Sequence, residues 1–421
     1  MKYTLFLVPA MALCFACGEG SPEKTSDKDS TSGPVGNSTG NTTTGVRGSY
    51  AYDAEFLKKH NRKVLELTGN NGSAKVLLSA DYQGRVMTSS AKGDSGSSYG
   101  WINYDLIRSG AIKPHINPVG GEERFWLGPE GGQYSIYFKS KDSFNFNNWQ
   151  VPPVIDTVSY DVAESSETSA TFTKSARLKN YSGTIFDIEI KRKISLLDAS
   201  MLRDKLRSEI DSSLSYVAYE TDNSITNTGQ FQWKQDKGLL SIWLLAMLTP
   251  SDDTKVIIPF ENRPDAKNFI TSDYFGPIPA DRLVIKNNYL VLTCDGKSRG
   301  KIGLAPEIAK PVAGSFDFKR NILTITMFEV NKQGTYVNSK WELQKQPYKG
   351  DAVNAYNDGP LADGTQMGPF YEIESSSSAK ELKPGESQVY KQSTFHFEGE
   401  YAKLEALALK VLGVKLSDLK K

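Results

Sequence analysis

From Ser49 onward the chain alternates apolar and polar residues in short runs, cut by Gly, Asn, Asp and Pro. Such period-two runs predict strands with one buried face. Lys63–Leu67, Ala74–Ala80 and Gly84–Ser90 are three of them. In Phe186–Leu197, Phe186, Ile188 and Ile190 share one parity and Asp187, Glu189 and Lys191 the other, and the run SATFTKSARLKN precedes it across NYSGT. Ser215–Gly229 is a further strand ending in a polar turn. Leu239–Leu248 is apolar on both parities, as in a strand buried on both faces. Asp281–Gly296 predicts a hairpin turning at Asn287 and Asn288, NILTITMFEVN and NSKWELQ a second pair, and Gln388–Gly399 a late strand. Helical spacing occurs twice. Ala54–His60 predicts a short helix. Leu404, Leu407, Ala408, Val411 and Leu412 predict an amphipathic helix stopped at Gly413. With no internal repeat and no Pro/Ser linker, residues 49–421 are expected to form one large antiparallel, all-β domain with a helix at each end.

One stretch fits neither period. Gly120–Phe138 reads GGEERFWLGPEGGQYSIYF. Its tail alternates, with Tyr134, Ile136 and Phe138 opposite Ser135 and Tyr137, and predicts a strand. Its head is too polar and Gly-rich for a buried strand, which predicts a loop carrying Glu122, Glu123, Arg124, Trp126 and Glu130. Arg can hold hydroxyls or a carboxylate in a fixed fork, Trp can stack on the apolar face of a sugar ring, and the glycines permit tight turns. The same residues could instead staple a hairpin through Arg124 and a Glu, with Trp126 in the core.

The N-terminus changes the expected location. A basic head and the apolar run Thr4–Ala16 have the length of a leader peptide, not of a membrane span. They end at Ala16-Cys17, which resembles a bacterial lipobox, although Cys14 stands where Leu is usual. Lipidation of Cys17 is expected, with ordinary leader cleavage nearby as the alternative. Residues 18–48 are rich in Gly, Ser, Thr and Asn and predict a tether. Residues 1–16 are thus a leader, 17–48 a lipidated Cys with its tether, and the protein is placed on the bacterial outer membrane or in the periplasm, lipid-anchored and monomeric. Only Cys294 then remains, expected as a packed thiol.

Charge and motifs exclude several classes. The chain has 50 basic and 49 acidic residues, and loss of Lys2 with the leader leaves no net charge. No basic excess supports nucleic-acid binding. Three histidines, and no CxxC, HExxH, EF-hand, P-loop or dinucleotide fingerprint, predict neither a metal nor a cofactor.

Paired carboxylates are the strongest chemical signal. In FYEIESSS, Glu372 and Glu374 lie two residues apart and share a strand face with Phe370 and Ser376. In a common cleft they repel, so one should titrate above its ordinary range and become available for acid–base work. A solvated outer face is the competing reading. Arg85, Lys310 and Trp341 are lesser candidates for a cleft, and Asp358 in YNDG is expected in a turn.

Taken together, GRVMTS, GGEERFWLGPEGGQYSIYF, SITNTG, YNDG and GPFYEIESSS followed by ELKPGESQVYKQSTFHFEG resemble an uncharacterised, Bacteroidota-type family of secreted and lipid-anchored bacterial proteins. That family is distantly similar to the galactose mutarotase-like (aldose 1-epimerase) proteins. The resemblance implies a supersandwich of large antiparallel sheets with a carbohydrate held on a concave face. It implies Glu374 as the base that removes a sugar hydroxyl proton, with Glu372 beside it. For such a ligand the residues themselves offer Arg124, Trp126, Glu123, Glu130, Arg85, His115 and Lys310 as substrate-binding candidates. The epimerases also use a histidine acid. Of His60, His115 and His396, only His115 lies in a loop near the opening motif, and none sits in the epimerase context. The expected function is therefore an envelope lipoprotein that binds carbohydrate and processes it in an epimerase-like or glycosidase-like way. The alternative is an inactive glycan-binding or structural lipoprotein on the same fold.

Overall fold

The alternating segments pair edge to edge into two large sheets. The structure, a computed structural model, describes residues 45–420. In chain order the elements are α1 (Tyr50–His60), β1 (Val64–Gly69), β2 (Ala74–Ser79), β3 (Arg85–Ser90), α2 (Tyr104–Ser109), β4 (Gly121–Gly128), β5 (Asp161–Ser165), β6 (Ser169–Lys179), β7 (Ile185–Leu196), α3 (Ala199–Leu206), β8 (Ser215–Asn227), β9 (Ser241–Met247), β10 (Thr254–Pro259), β11 (Ile270–Thr271), β12 (Leu283–Ile285), β13 (Tyr289–Thr293), β14 (Gly300–Leu304), β15 (Val312–Asp317), β16 (Ile322–Phe328), β17 (Val353–Asn357), β18 (Tyr371–Ser376), β19 (Ser387–Glu398) and α4 (Tyr401–Leu412). Among the described residues, the first sheet runs β1-β2-β3-β4-β9-β18-β17-β14-β11 and the second β12-β13-β10-β15-β16-β19-β8-β7-β6-β5. Strand neighbours in both sheets are antiparallel. This is the all-β arrangement of two large antiparallel sheets expected from the sequence.

Parity decides what each strand buries. In β7, Phe186, Ile188, Ile190 and Ile194 are fully buried while the opposite parity faces solvent. Strand β9 lies between β4 and β18 and is buried on both faces. Its Ile242 and Leu244 join the apolar core, while Trp243, Leu245 and Met247 line a cleft on the other face. Helix α4 closes the second sheet from outside. Leu404, Leu407, Ala408 and Leu412 pack with Ile257, Phe316, Leu323 and Phe395 in a separate apolar cluster, which α3 joins through Leu202 and Leu206. Gly413 caps α4 in the left-handed conformation at φ 72°, so the helix ends where its spacing ends.

Three local expectations are corrected. The head of the Gly120–Phe138 stretch is a strand, β4, inside the first sheet, not a loop. Its polar side chains are tolerated because each finds a partner there. The tail, Gln133–Phe138, is turn and bend. Its alternating aromatics are core residues, with Tyr137 and Phe138 buried against Trp126 and Trp341. The run NSKWELQ forms no strand; it is irregular chain edging the cleft. The leader, Cys17 and all but the last four residues of the tether lie outside the described residues. Among the described residues no helix is long and apolar enough to cross a membrane.

Candidate functional site

The outer face of the first sheet, opposite the sandwich core, floors a cleft of about 1690 Å³. Strand register dictates which side chains meet there. Arg124, Leu245, Glu374 and Asn354 lie in one row across β4, β9, β18 and β17. Glu372, Tyr356 and Lys301 lie in the adjacent row across β18, β17 and β14. Trp126 sits opposite Trp243. Two diagonal hydrogen bonds from cations tie the rows together. Arg124 Nη2 donates to Glu372 Oε1 at 2.7 Å, and Lys301 Nζ donates to Glu374 Oε2 at 2.8 Å. Trp243 Nε1 also donates to Glu374 Oε2, at 3.0 Å.

Aromatic faces carry both cations. The Arg124 guanidinium lies 4.4 Å from the centre of the Trp126 ring, and the Lys301 ammonium 4.9 Å from that of Trp243. The two indoles meet edge to face at 5.5 Å. Three buried polar atoms of this floor have no partner among the described residues: Arg124 Nε, Trp126 Nε1 and Glu374 Oε1. Two donors and one acceptor are thus left to be satisfied, and a buried polar group without a partner costs free energy.

The same burial perturbs the acids. Burial raises the Glu372 carboxyl well above the ordinary range; Arg124 opposes the shift and Glu374 adds to it. Glu130 follows β4 and is pushed up to about 7 by burial, with Lys301 lowering and Glu374 raising it. Asp351 is pushed up to about 6 by burial, against the hydrogen bonds from Tyr274 and Asn354. Burial would lower Lys301, but Glu374 and then Glu130 outweigh it and hold the ammonium above its usual value. The floor therefore holds cations and carboxyls able to exchange protons near neutral pH.

The backbone makes room for these groups. A Cβ on Gly303 would stand 2.0 Å from Asp351 Oδ2, so only glycine leaves space for that carboxyl. A Cβ on Gly131 would stand 2.3 Å from the Lys340 carbonyl, which lets the turn after β4 seat the irregular 338–346 segment over the cleft. That segment brings Trp341 to the Glu130 side chain.

The sequence candidates divide by parity and by a bulge. Arg124, Trp126, Glu130, His115, Trp341 and Glu372 line the cleft. Glu374 is fully buried beneath the floor, in the strand row of Arg124, Leu245 and Asn354, and is not itself a lining residue. Glu123 and Arg85 do not reach it. The register of β4 shifts between Gly121 and Arg124, which turns both Glu122 and Glu123 toward the second sheet. There Glu123 meets Arg192 at 3.0 Å and Gln392 at 2.9 Å, and His396 Nε2 lies 2.7 Å from Glu122 Oε1. Arg85 is buried and donates to the Gly120 carbonyl and to Gln83. Lys310 is not a lining residue and lies near Glu261. His115 stands on the wall, with Nδ1 on the Trp149 carbonyl at 2.6 Å. Asp358 is no ordinary turn residue: it is buried in the cleft, accepting from Tyr356 Oη at 2.5 Å and from the Gly368 amide at 2.9 Å. Cys294 is a buried free thiol.

A model of a family of unknown function, DUF6786, matches residues 48–421. The chain belongs to that family. No curated protein matches this DUF6786 member. Among solved structures it is similar to a candidate aldose 1-epimerase from Escherichia coli K12 (10% identity, 79% of this chain and 99% of that one, TM-score 0.47). It is similar too to a protein from Synechocystis sp. PCC 6803 (12%, 81% and 97%, TM-score 0.48) and to a galactose mutarotase-like protein from Lactobacillus casei ATCC 334 (12%, 80% and 99%, TM-score 0.44). The two-sheet architecture of this DUF6786 chain stands on its own strand pairing.

Lys301, Trp243, Asp351 and Tyr274 complete the floor and were not candidates from sequence. Trp243 is hidden in an all-apolar run, and Lys301 stands in a five-residue strand too short to show its period. The motif segments NTG and LKPGE turn out to hold each other. Asn227 Nδ2 donates to the Leu382 carbonyl at 2.9 Å, and the Gly385 amide to the Asn227 carbonyl at 2.7 Å.

Proposed function

We propose that the cleft binds carbohydrate and that Glu372, Glu374 and Glu130 are its proton-transfer groups. One observation carries the reading: a guanidinium–carboxyl pair, Arg124–Glu372, laid over a tryptophan at the bottom of a large cleft. Sugars present hydroxyls in a ring plane above an apolar C–H face, and a floor of fork-shaped donors, carboxyls and indoles suits both. Glu372, neutral at mild pH, donates a proton to a sugar oxygen. Glu374 accepts one through the oxygen that Trp243 and Lys301 leave unbonded. Glu130 takes the acid role that the epimerase pattern gives to a histidine. The resemblance of the sequence to mutarotase-like proteins supports the same substrate class.

A glycan-array screen tests binding, followed by NMR of anomer exchange and glycosidic cleavage on every hit. Binding by the protein, abolished in Arg124→Met, is the expected result. Turnover lost in Glu374→Gln with binding retained supports catalysis; binding with no turnover leaves a glycan-binding protein. Absence of any hit contradicts the reading. We further infer that Cys17 is the lipid anchor, from the Ala16-Cys17 junction and the polar tether. Cys17→Ser should then move the protein from the membrane fraction to the soluble one; retention on membranes after a salt wash contradicts this.

A further inference from the structure

We infer that the occupant of the cleft is an oligosaccharide spanning several units, not a single free sugar. This deepens the carbohydrate reading and rests on it. Three observations carry it. The first is size. Sites for compact small molecules enclose about 300–1,000 Å³, and this cleft measures about 1690 Å³.

The second is a contact platform at the Glu130 end of the cleft, beyond the Glu372 and Glu374 pair. Trp149 and Trp341 stack at 5.7 Å, Phe146 stacks on Trp149 at 6.0 Å, and His115 meets Phe146 at 4.7 Å. Phe146 is 56% exposed although it belongs to this stack. A flat aromatic wall facing a cleft suits the apolar face of a sugar ring.

The third is a matching platform at the opposite edge. Phe275 is 48% exposed and the Arg299 guanidinium lies 3.8 Å from its ring centre. Arg299 donates to Tyr356 Oη at 3.2 Å and has no carboxylate within ion-pair distance among the described residues. It is a preorganised fork with donors to spare. The first platform is seated by the turn after β4 and the second lies beside β14, strands four spacings apart in the sheet, or about 19 Å at the usual separation. Glu372 and Glu374, on β18, lie between them. One ring cannot touch both platforms and the floor. A chain of sugars can, with its central unit at Arg124 and Glu372 and its ends on Trp341 and Phe275.

The experiment is a tryptophan-fluorescence titration with glucose, galactose, mannose and xylose and with their β-1,4-linked oligomers of two to six units. It is run on the protein and on Phe275→Ala and Trp341→Ala. The expected result is that, for the series that binds, the tetramer binds at least tenfold more tightly than the monomer. Phe275→Ala should weaken the tetramer five- to tenfold and leave the monomer unchanged. Phe275 is exposed, so its loss leaves the fold intact, and circular dichroism checks this. Equal affinity for monomer and tetramer overturns the inference and leaves the carbohydrate reading standing, as does a tetramer indifferent to both substitutions. No binding by any member overturns both.

Discussion

Arg124 Nη2 donates to Glu372 Oε1 at 2.7 Å although a whole strand, β9, runs between their strands. The pair is possible because β4 and β18 flank β9 in antiparallel register, with Arg124 and Glu374 both opposite Leu245. Glu372 lies one step along the same face, within reach of a long side chain. Arg124→Met should destabilise the protein by about 1–3 kcal/mol. That is less than the 3–5 kcal/mol typical of breaking a buried pair, because Glu372 already favours its neutral form. The loss should grow with pH as the carboxyl is forced to ionise. Urea denaturation at pH 5 and pH 8 checks this; an equal loss at both contradicts it.

Glu130 gives a pH signature of its own. Its folded value, about 7, lies above its unfolded one, so its contribution is fully present below about pH 4.5 and is lost as pH rises toward 7. Glu130→Gln should flatten the decline of stability across that window by roughly 1–3 kcal/mol. Thermal melts from pH 4 to pH 8 read the slope. An unchanged slope would mean that Glu130 titrates normally.

The buried pair between the sheets has no part in the cleft and should behave as pure structure. Arg192→Leu alone strands Glu123 and should cost about 3–5 kcal/mol, while Arg192→Leu with Glu123→Leu should recover most of it. Glycan affinity should be unaltered in the double variant. A large fall in affinity there would assign Glu123 to the ligand after all.

Gly131→Ala separates site from fold. The new Cβ meets the Lys340 carbonyl at 2.3 Å, so the 338–346 segment must shift and carry Trp341 with it. Oligosaccharide affinity should fall about tenfold, equivalent to ~1.4 kcal/mol, with far-UV circular dichroism unchanged. Wild-type affinity would show that this segment takes no part in binding.

Much of this was legible in the sequence because alternation reports a two-faced strand. β7, β8 and β19 alternate and were expected; β9 was recognisable by being apolar throughout. The head of Gly120–Phe138 was misread because burial there is polar. A strand whose Glu122, Glu123 and Arg124 are each bonded to a residue from elsewhere in the chain has no local hydrophobic signature. The bulge that decides which of them face the cleft leaves no mark in composition. Glu372 and Glu374 were visible as a pair. Arg124, the partner of Glu372, was a candidate as well. The partners of Glu374 were not, since Lys301 and Trp243 come from strands distant in the chain and are joined only by register.

The most direct measurement is the crystal structure of the protein with the best-binding glycan from the array. A sugar ring should lie over the Arg124–Glu372 pair, with an oxygen accepting from Trp126 Nε1 or Arg124 Nε and a hydroxyl donating to Glu374 Oε1. A glycan bound elsewhere on the surface, with the floor of the cleft untouched, would contradict the account.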